Sequence, residues 1–317
     1  MPDVQRAQSV RGVRERGRGH LQLVRPAVQG RDRRRRQTEA EGTVKGVARR
    51  EVRRVAAGVL QAPAEDDVVA EEPLEIRAQG ETLAITMRTP GADRELALGF
   101  LFAEGVISSR DDVGRVAHCG RPDQEGYGNT IDVVPGPGVS LDIDRLSATR
   151  RGTLTTSACG VCGRRSVDDV IARCAPLPVA RGAIAPAAIL TAVEELRSRQ
   201  PNFARTGGIH GAAIRDAHGN VLAAFEDIGR HNAVDKVVGA LLLSGRIPGP
   251  DPALLVVSGR ASYEVVQKAS AAGVPVIGSV SAASSLAVDL ARAAGITLCG
   301  FVRNGKMTVY SHPERIR

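Results

Sequence analysis

No run of about 18 apolar residues occurs anywhere in this 317-residue chain, so no segment of it reads as a membrane span. The first residues are basic but lack the apolar stretch that a secretory signal needs. Five cysteines, an odd number with only one recognisable spacing among them, do not make a disulfide framework. A reducing cytoplasm is the compartment these features predict. Nucleotide fingerprints are missing too: neither a G-x-G-x-x-G nor a G-x-x-x-x-G-K-[ST] run is present. There is no G-x-S-x-G nucleophile elbow. Zinc deaminases need H-x-E followed by P-C-x-x-C. Here Ala158 precedes the first cysteine of the pair and no H-x-E comes before it, which excludes hydrolytic deamination.

What charge there is sits unevenly. The net balance is +8, but residues 1–54 hold 16 Lys+Arg against 6 Asp+Glu, leaving 27 against 29 for the rest. The folded part is nearly neutral and the basicity belongs to a tail. With Arg33 to Arg36 in a row and no helical or strand period, residues 1–67 read as a disordered basic tail. An arginine run is able to touch nucleic acid or acidic lipid, but the near-neutral remainder argues against a nucleic-acid module.

The stretch around which the chain is organised is Thr155-Thr-Ser-Ala-Cys159-Gly-Val-Cys162-Gly163. Two cysteines at this spacing serve as half a zinc site, a redox dithiol, a persulfide carrier or plain packing. Glycines at 160 and 163 make the loop permissive. Arg150 and Arg151 precede it and Arg164 and Arg165 follow it, and nearby cations favour the thiolate, the reacting species. A helix through Val167, Val170 and Ile171 is expected next, and its N-terminus would favour the thiolate further. A zinc site from Cys119, Cys159 and Cys162 lacks a fourth ligand nearby, so no metal site is expected.

On either side of that loop the pattern differs. Order is expected from near Val68. Leu74 to Arg88 reads as two alternating strands about a turn at Gly80, then a helix capped by Asp93, then strands at Val113–His118 and Asn129–Val134. This predicts a small α+β domain over 68–147. Residues 148–202 hold the C-x-x-C loop and a helical connection, Ala185 to Arg199. Residues 203–317 alternate strands and helices, an α/β domain. In it, Glu226-Asp-Ile-Gly-Arg-His231-Asn232-Ala-Val-Asp-Lys236 places many polar groups at a strand-to-helix turn, with Asn232 as the expected N-cap. Ser258-Gly-Arg260-Ala-Ser262 joins a buried strand to a helix N-terminus, a place suited to an anion. Arg303-Asn304-Gly305 reads as a hairpin turn.

Taken together, Glu72-Pro-Leu-Glu-Ile, Thr86-Met-Arg-Thr-Pro-Gly, Leu98-Gly-Phe-Leu-Phe-Ala-Glu-Gly, Thr156-Ser-Ala-Cys-Gly-Val-Cys-Gly, Thr206-Gly-Gly-Ile-His, Asp227-Ile-Gly-Arg-His-Asn-Ala-Val-Asp-Lys, Ser258-Gly-Arg-Ala-Ser-Tyr-Glu and Gly300-Phe-Val-Arg resemble the FdhD family over 68–317. The arginine-rich tail lies outside the resemblance. The resemblance implies a sulfur carrier, a sulfurtransferase that accepts persulfide sulfur from a cysteine desulfurase. It would pass that sulfur to molybdenum in bis(molybdopterin guanine dinucleotide), for formate dehydrogenase. It also implies a homodimer, and a C-terminal domain similar in fold to cytidine deaminases. The persulfide would form on Cys159, with Cys162 assisting. Cofactor contacts would fall on Gly300, Phe301, Val302, Arg303, Asn304 and Gly305. Charge and position add Arg260, His231 and Lys236 as contacts to the guanine nucleotide, for which guanosine diphosphate (GDP) is a partial mimic. A thiol–disulfide oxidoreductase and a cofactor chaperone without sulfur chemistry remain as alternatives.

Overall fold

Residues 46–121, 123–124, 127–143, 176–178 and 183–317 are described by the computed structural model, and all fall in one unit, Thr43–Arg317. The cysteine pair Cys159 and Cys162, the helix expected at 167–171 and the chain before residue 46 lie outside the described residues.

The first described element corrects the expected start of order. Strand β1 (Val47–Ala56) pairs antiparallel with β2 (Val59–Val69), well inside the stretch read as disordered tail. The register sets Arg49 opposite Asp67 and Arg50 opposite Asp66. Arg54 Nη2 reaches Asp66 Oδ2 at 3.0 Å, and Arg205 Nη2 reaches Asp67 Oδ2 at 2.7 Å. The arginines of the basic segment thus meet an acidic partner strand, so their charge does not force the chain apart. Both residues of the turn, Ala57 and Gly58, have positive φ (49° and 78°), as a tight two-residue hairpin requires. Most of the hairpin is exposed on both faces, so it carries no inside–outside alternation for a sequence reading to detect.

Next comes a four-stranded sheet in the order β4-β3-β6-β5. Strands β3 (Glu72–Ala78) and β4 (Glu81–Arg88) form the expected hairpin, turned at Gln79–Gly80. Helix α1 (Asp93–Ala103) leads to β5 (Val113–His118) and β6 (Thr130–Pro135), with β6 parallel to β3. Alternate residues Leu74, Ile76 and Ala78 of β3 are fully buried. Asp93 does not cap α1 as expected. The N-cap is Ala92, and the Asp93 carboxylate takes two hydrogen bonds from the buried guanidinium of Arg88, at 3.0 and 3.2 Å.

The remainder forms a six-stranded sheet, β12-β11-β10-β9-β7-β8, with helices on both faces. In chain order, α2 (Pro186–Ser198) and α3 (Pro201–Thr206) precede the hairpin β7 (His210–Arg215) and β8 (Val221–Asp227). Then α4 (Arg230–Leu243), β9 (Leu254–Val257), α5 (Tyr263–Ala271), β10 (Val276–Ser279), α6 (Ser285–Ala293), β11 (Thr297–Arg303) and β12 (Lys306–Ser311) follow. Strands β9, β10 and β11 are parallel, and β9 is apolar throughout because helices cover both its faces. On one face α2 lays Ile189, Ala192, Val193 and Leu196, spaced for one helical side, onto Val256, Val276 and Cys299. On the other, the core is continuous with that of the smaller sheet: Ile76 and Ile131 share a cluster with Val237, Leu241, Leu255 and Ile277.

The join between the two sheets is a helix crossing at backbone contact. A Cβ added at Gly99 of α1 would lie 1.9 Å from the Asp235 carbonyl oxygen, and one at Gly239 of α4 would lie 1.9 Å from that of Glu95. No side chain can relieve such an overlap, because the obstructing atoms are backbone. Gly239→Ala is therefore expected to destabilise the protein by about 1–3 kcal/mol or more, measured by urea denaturation. An unchanged midpoint would contradict this packing.

Candidate functional site

The polar run from Glu226 to Lys236 looks like a ligand site in the sequence, but the structure uses most of it to hold the molecule together. Asp227 is fully buried and receives Lys236 Nζ at 2.7 Å. Its oxygens also accept from the backbone N–H of Gly229 (2.8 Å) and Thr89 (3.2 Å) and from Asn232 Nδ2 (3.1 Å). Lys236 Nζ donates to the Thr89 carbonyl at 2.9 Å and Asn232 Nδ2 to the Met87 carbonyl at 2.8 Å. The network thus ties α4 to the end of β4. Lys236, expected to contact the cofactor, has its ammonium fully occupied here and buried. Asn232 is not the N-cap; Gly229 is, and Asn232 lies in the first turn with its amide in this network.

His231 is also buried. Its Nε2 lies 3.0 Å from Ser262 Oγ and 3.3 Å from Glu264 Oε2. Burial lowers its pKa from 6.5 to about 4, Glu264 opposing and Arg230, Lys268 and His210 assisting. On the same helix, burial lifts Asp235 to about 6 although Lys268 Nζ lies 2.6 Å away. Arg260 is exposed in the loop before α5 and faces neither cavity described below.

A cavity of 760 Å³ opens at the carboxyl ends of the three parallel strands, where α/β sheets place ligands. Ser258 follows β9, Val280 follows β10, Val302 and Arg303 end β11 and Asn304 follows it, while His210 begins β7. The opposite wall comes from α2 and α3, with Arg197, Gln200 and Phe203. The Arg197 guanidinium lies over the Phe203 ring, 4.5 Å from its centroid. Burial and the Arg230 charge lower the His210 pKa, leaving its ring neutral near pH 7, with one donor and one acceptor nitrogen. Ser258 Oγ accepts from the Gly211 N–H at 2.9 Å, so its own proton is available to a ligand.

A second concavity of 520 Å³ adjoins at the β11–β12 hairpin and shares Arg303 and Asn304 with the first. The expected Gly300–Gly305 segment is unusual in backbone as well as position. Phe301 has φ of 53°, is 40% exposed, and lies 5.8 Å from the Arg303 guanidinium. Its N–H donates to the Ser281 carbonyl at 3.0 Å. A Cβ at Gly300 would come within 2.9 Å of the Tyr310 ring and 3.1 Å of the Ser281 carbonyl oxygen, so any side chain there would have to displace a neighbour. Asn304 and Gly305, at φ of 52° and 70°, make the expected turn. Cations, neutral donors and an exposed aromatic ring fit a phosphorylated heterocycle.

The structure therefore joins Val302, Arg303 and Asn304 to His210, Ser258, Arg197 and Gln200, and leaves Arg260, His231 and Lys236 apart. His210 was signalled only within the Thr206-Gly-Gly-Ile-His stretch of the resemblance; Arg197 and Gln200 carried no local signal. Among the described cysteines, burial pushes the Cys299 thiol up to about 12, which removes it as a nucleophile at neutral pH. No group of three metal-binding side chains occurs among the described residues, and no described helix is long and apolar enough to cross a membrane.

Residues 69–317 match the sequence model of the FdhD/NarQ family. A sulfur carrier protein FdhD of Anaeromyxobacter dehalogenans (strain 2CP-1) is 58% identical over 256 residues, covering 79% of this chain and 88% of that one. Another sulfur carrier protein FdhD, from Nocardia farcinica, is 45% identical over 271 residues, 85% of this chain and 94% of its own. A crystal structure of a formate dehydrogenase accessory protein from Desulfotalea psychrophila superposes with a TM-score of 0.66 at 25% identity, covering 86% of this chain and 99% of that one.

The buried histidine makes stability depend on pH. Since its folded pKa lies below the unfolded value, the unfolded chain takes up that proton first as pH falls. The contribution is complete above about pH 6.5 and is lost towards about pH 4. Asp235, with its raised pKa, acts in the opposite sense over its own range. Urea titrations are expected to show His231→Gln losing less stability than the parent between about pH 6.5 and pH 5. Parallel pH dependences of the two proteins would contradict the assignment.

Proposed function

Because the chain belongs to the FdhD/NarQ family, we propose that it is the sulfur carrier of formate dehydrogenase maturation in its own cell. It takes sulfur from a cysteine desulfurase onto Cys159 and delivers it to molybdenum held by bis(molybdopterin guanine dinucleotide). In the loading step the Cys159 thiolate attacks the outer sulfur of the donor persulfide. The donor's S–S bond breaks, its cysteine leaves as thiolate, and a new S–S bond remains on Cys159. The four flanking arginines favour the attacking thiolate. Cys162 is the second sulfur of the loop and assists by holding or resolving the persulfide. In this reading the carrier works in the cytoplasm as a homodimer.

The observation that carries the reading furthest is the cavity at the ends of β9, β10 and β11. It supports binding of the cargo by its guanine nucleotide end, with Arg303 on the phosphates and Phe301 beside it offering an aromatic face. The six-stranded sheet, a hairpin followed by three parallel strands, serves in this reading as the deaminase-like platform that the resemblance implies, turned to nucleotide binding.

Cargo binding and sulfur loading are separable in this account. Incubated with desulfurase and cysteine, the Cys159 peptide is expected to gain the mass of one sulfur atom, and Cys159→Ala to gain none. Arg303→Ala is expected to load sulfur normally yet bind GDP about one to two decades more weakly, a charge-assisted hydrogen bond being lost. Normal formate dehydrogenase activation by Cys159→Ala would leave a cofactor chaperone as the reading. An oxidised dithiol without added sulfur would favour a thiol–disulfide oxidoreductase.

A further inference from the structure

Gln200 sits between α2 and α3 on the wall of the cavity at the strand ends and is only 4% exposed. Its Nε2 is buried and has no hydrogen-bond acceptor among the described residues. The space it occupies exists because residue 211 is glycine: a Cβ there would lie 2.6 Å from Gln200 Cδ and 2.7 Å from Nε2. The fold thus leaves out a side chain in β7 to admit an amide, and then gives its Nε2 no acceptor among the described residues. A buried donor in this state costs about 1–3 kcal/mol, and an apolar side chain of the same shape would avoid the cost. A polar group held unpartnered on a cavity wall is understandable when its partner arrives with a ligand.

We infer that Gln200 is the specificity residue of the cavity, and that its amide N–H pairs with the ring carbonyl of a bound 6-oxopurine. This rests on the reading that the cavity takes the nucleotide end of the cargo. The terminal amide torsion is soft and roughly two-fold, so a small turn within the recess points the N–H into the cavity. The neighbours reinforce the match. Ser258 has its oxygen engaged by the Gly211 N–H and a proton to give, and Arg197 presents a guanidinium donor. A wall this rich in donors favours a ring that shows it an oxygen over one that shows it an amino group.

The test compares the full-length protein with Gln200→Met, which keeps length and removes the donor. Calorimetric titration with GDP, inosine diphosphate and adenosine diphosphate reads the three rings. Wild type is expected to prefer the first two. Gln200→Met should bind both about tenfold more weakly, with adenosine diphosphate unchanged. Without ligand, Gln200→Met should melt no lower than wild type, because a buried unpaired group has gone; a residue with only a structural role would lower the melting temperature. Equal weakening of all three nucleotides, an unchanged preference for GDP, or a lower unliganded melting temperature overturns the inference. Absence of any GDP binding by wild type overturns the nucleotide reading of the cavity itself, and the inference with it.

Discussion

Two helices approach until backbone meets backbone only where both give up their Cβ atoms, and Gly99 on α1 and Gly239 on α4 do this at one crossing. The contact matters because α1 covers the four-stranded sheet and α4 covers the six-stranded one. Once the helices are in contact, the apolar residues of both sheets close into one core rather than two. Just beyond the crossing, Asp227, Asn232 and Lys236 bond to Met87 and Thr89 at the end of β4, every donor and acceptor finding a partner. Such a network is costly when half made and rigidifying when complete. The ends of β9, β10 and β11, where the cavity opens, are thereby held on a frame that includes the first sheet.

That arrangement explains why the most ligand-like sequence in the chain is not the cavity. The run from Asp227 to Lys236 is rich in charge because it fastens one sheet to the other inside the protein, where unpaired charges are excluded. The cavity uses residues that look plainer in sequence: an arginine of α2, a glutamine between helices, a serine after a strand. Backbone geometry supplies the rest, with Phe301 and Asn304 both held at positive φ.

The sequence was most legible where burial is one-sided or complete. The alternation of Leu74, Ile76 and Ala78, the apolar run at Leu254 to Val257 and the turn at Asn304–Gly305 each correspond to an observed element. It was least legible where tertiary contact decides. The β1–β2 hairpin buries little, so its arginines read as a solvated tail until the acidic strand is set beside them. Asn232 has the chemistry of an N-cap, but the bonds to Asp227 and Met87 draw it into the helix. Gln200 became visible only when α2, α3 and β7 were brought together, because its significance lies in what surrounds it.

The claim on which the account turns is that the guanine nucleotide end of the cargo docks at the carboxyl ends of the parallel strands. Amide hydrogen exchange of the full-length protein, with and without saturating GDP, locates that site without any substitution. The account predicts slower exchange at residues 207–211, 257–259 and 300–306, and none at the β1–β2 hairpin. Protection confined to the four-stranded sheet or the hairpin, with the strand ends unaffected, would contradict it.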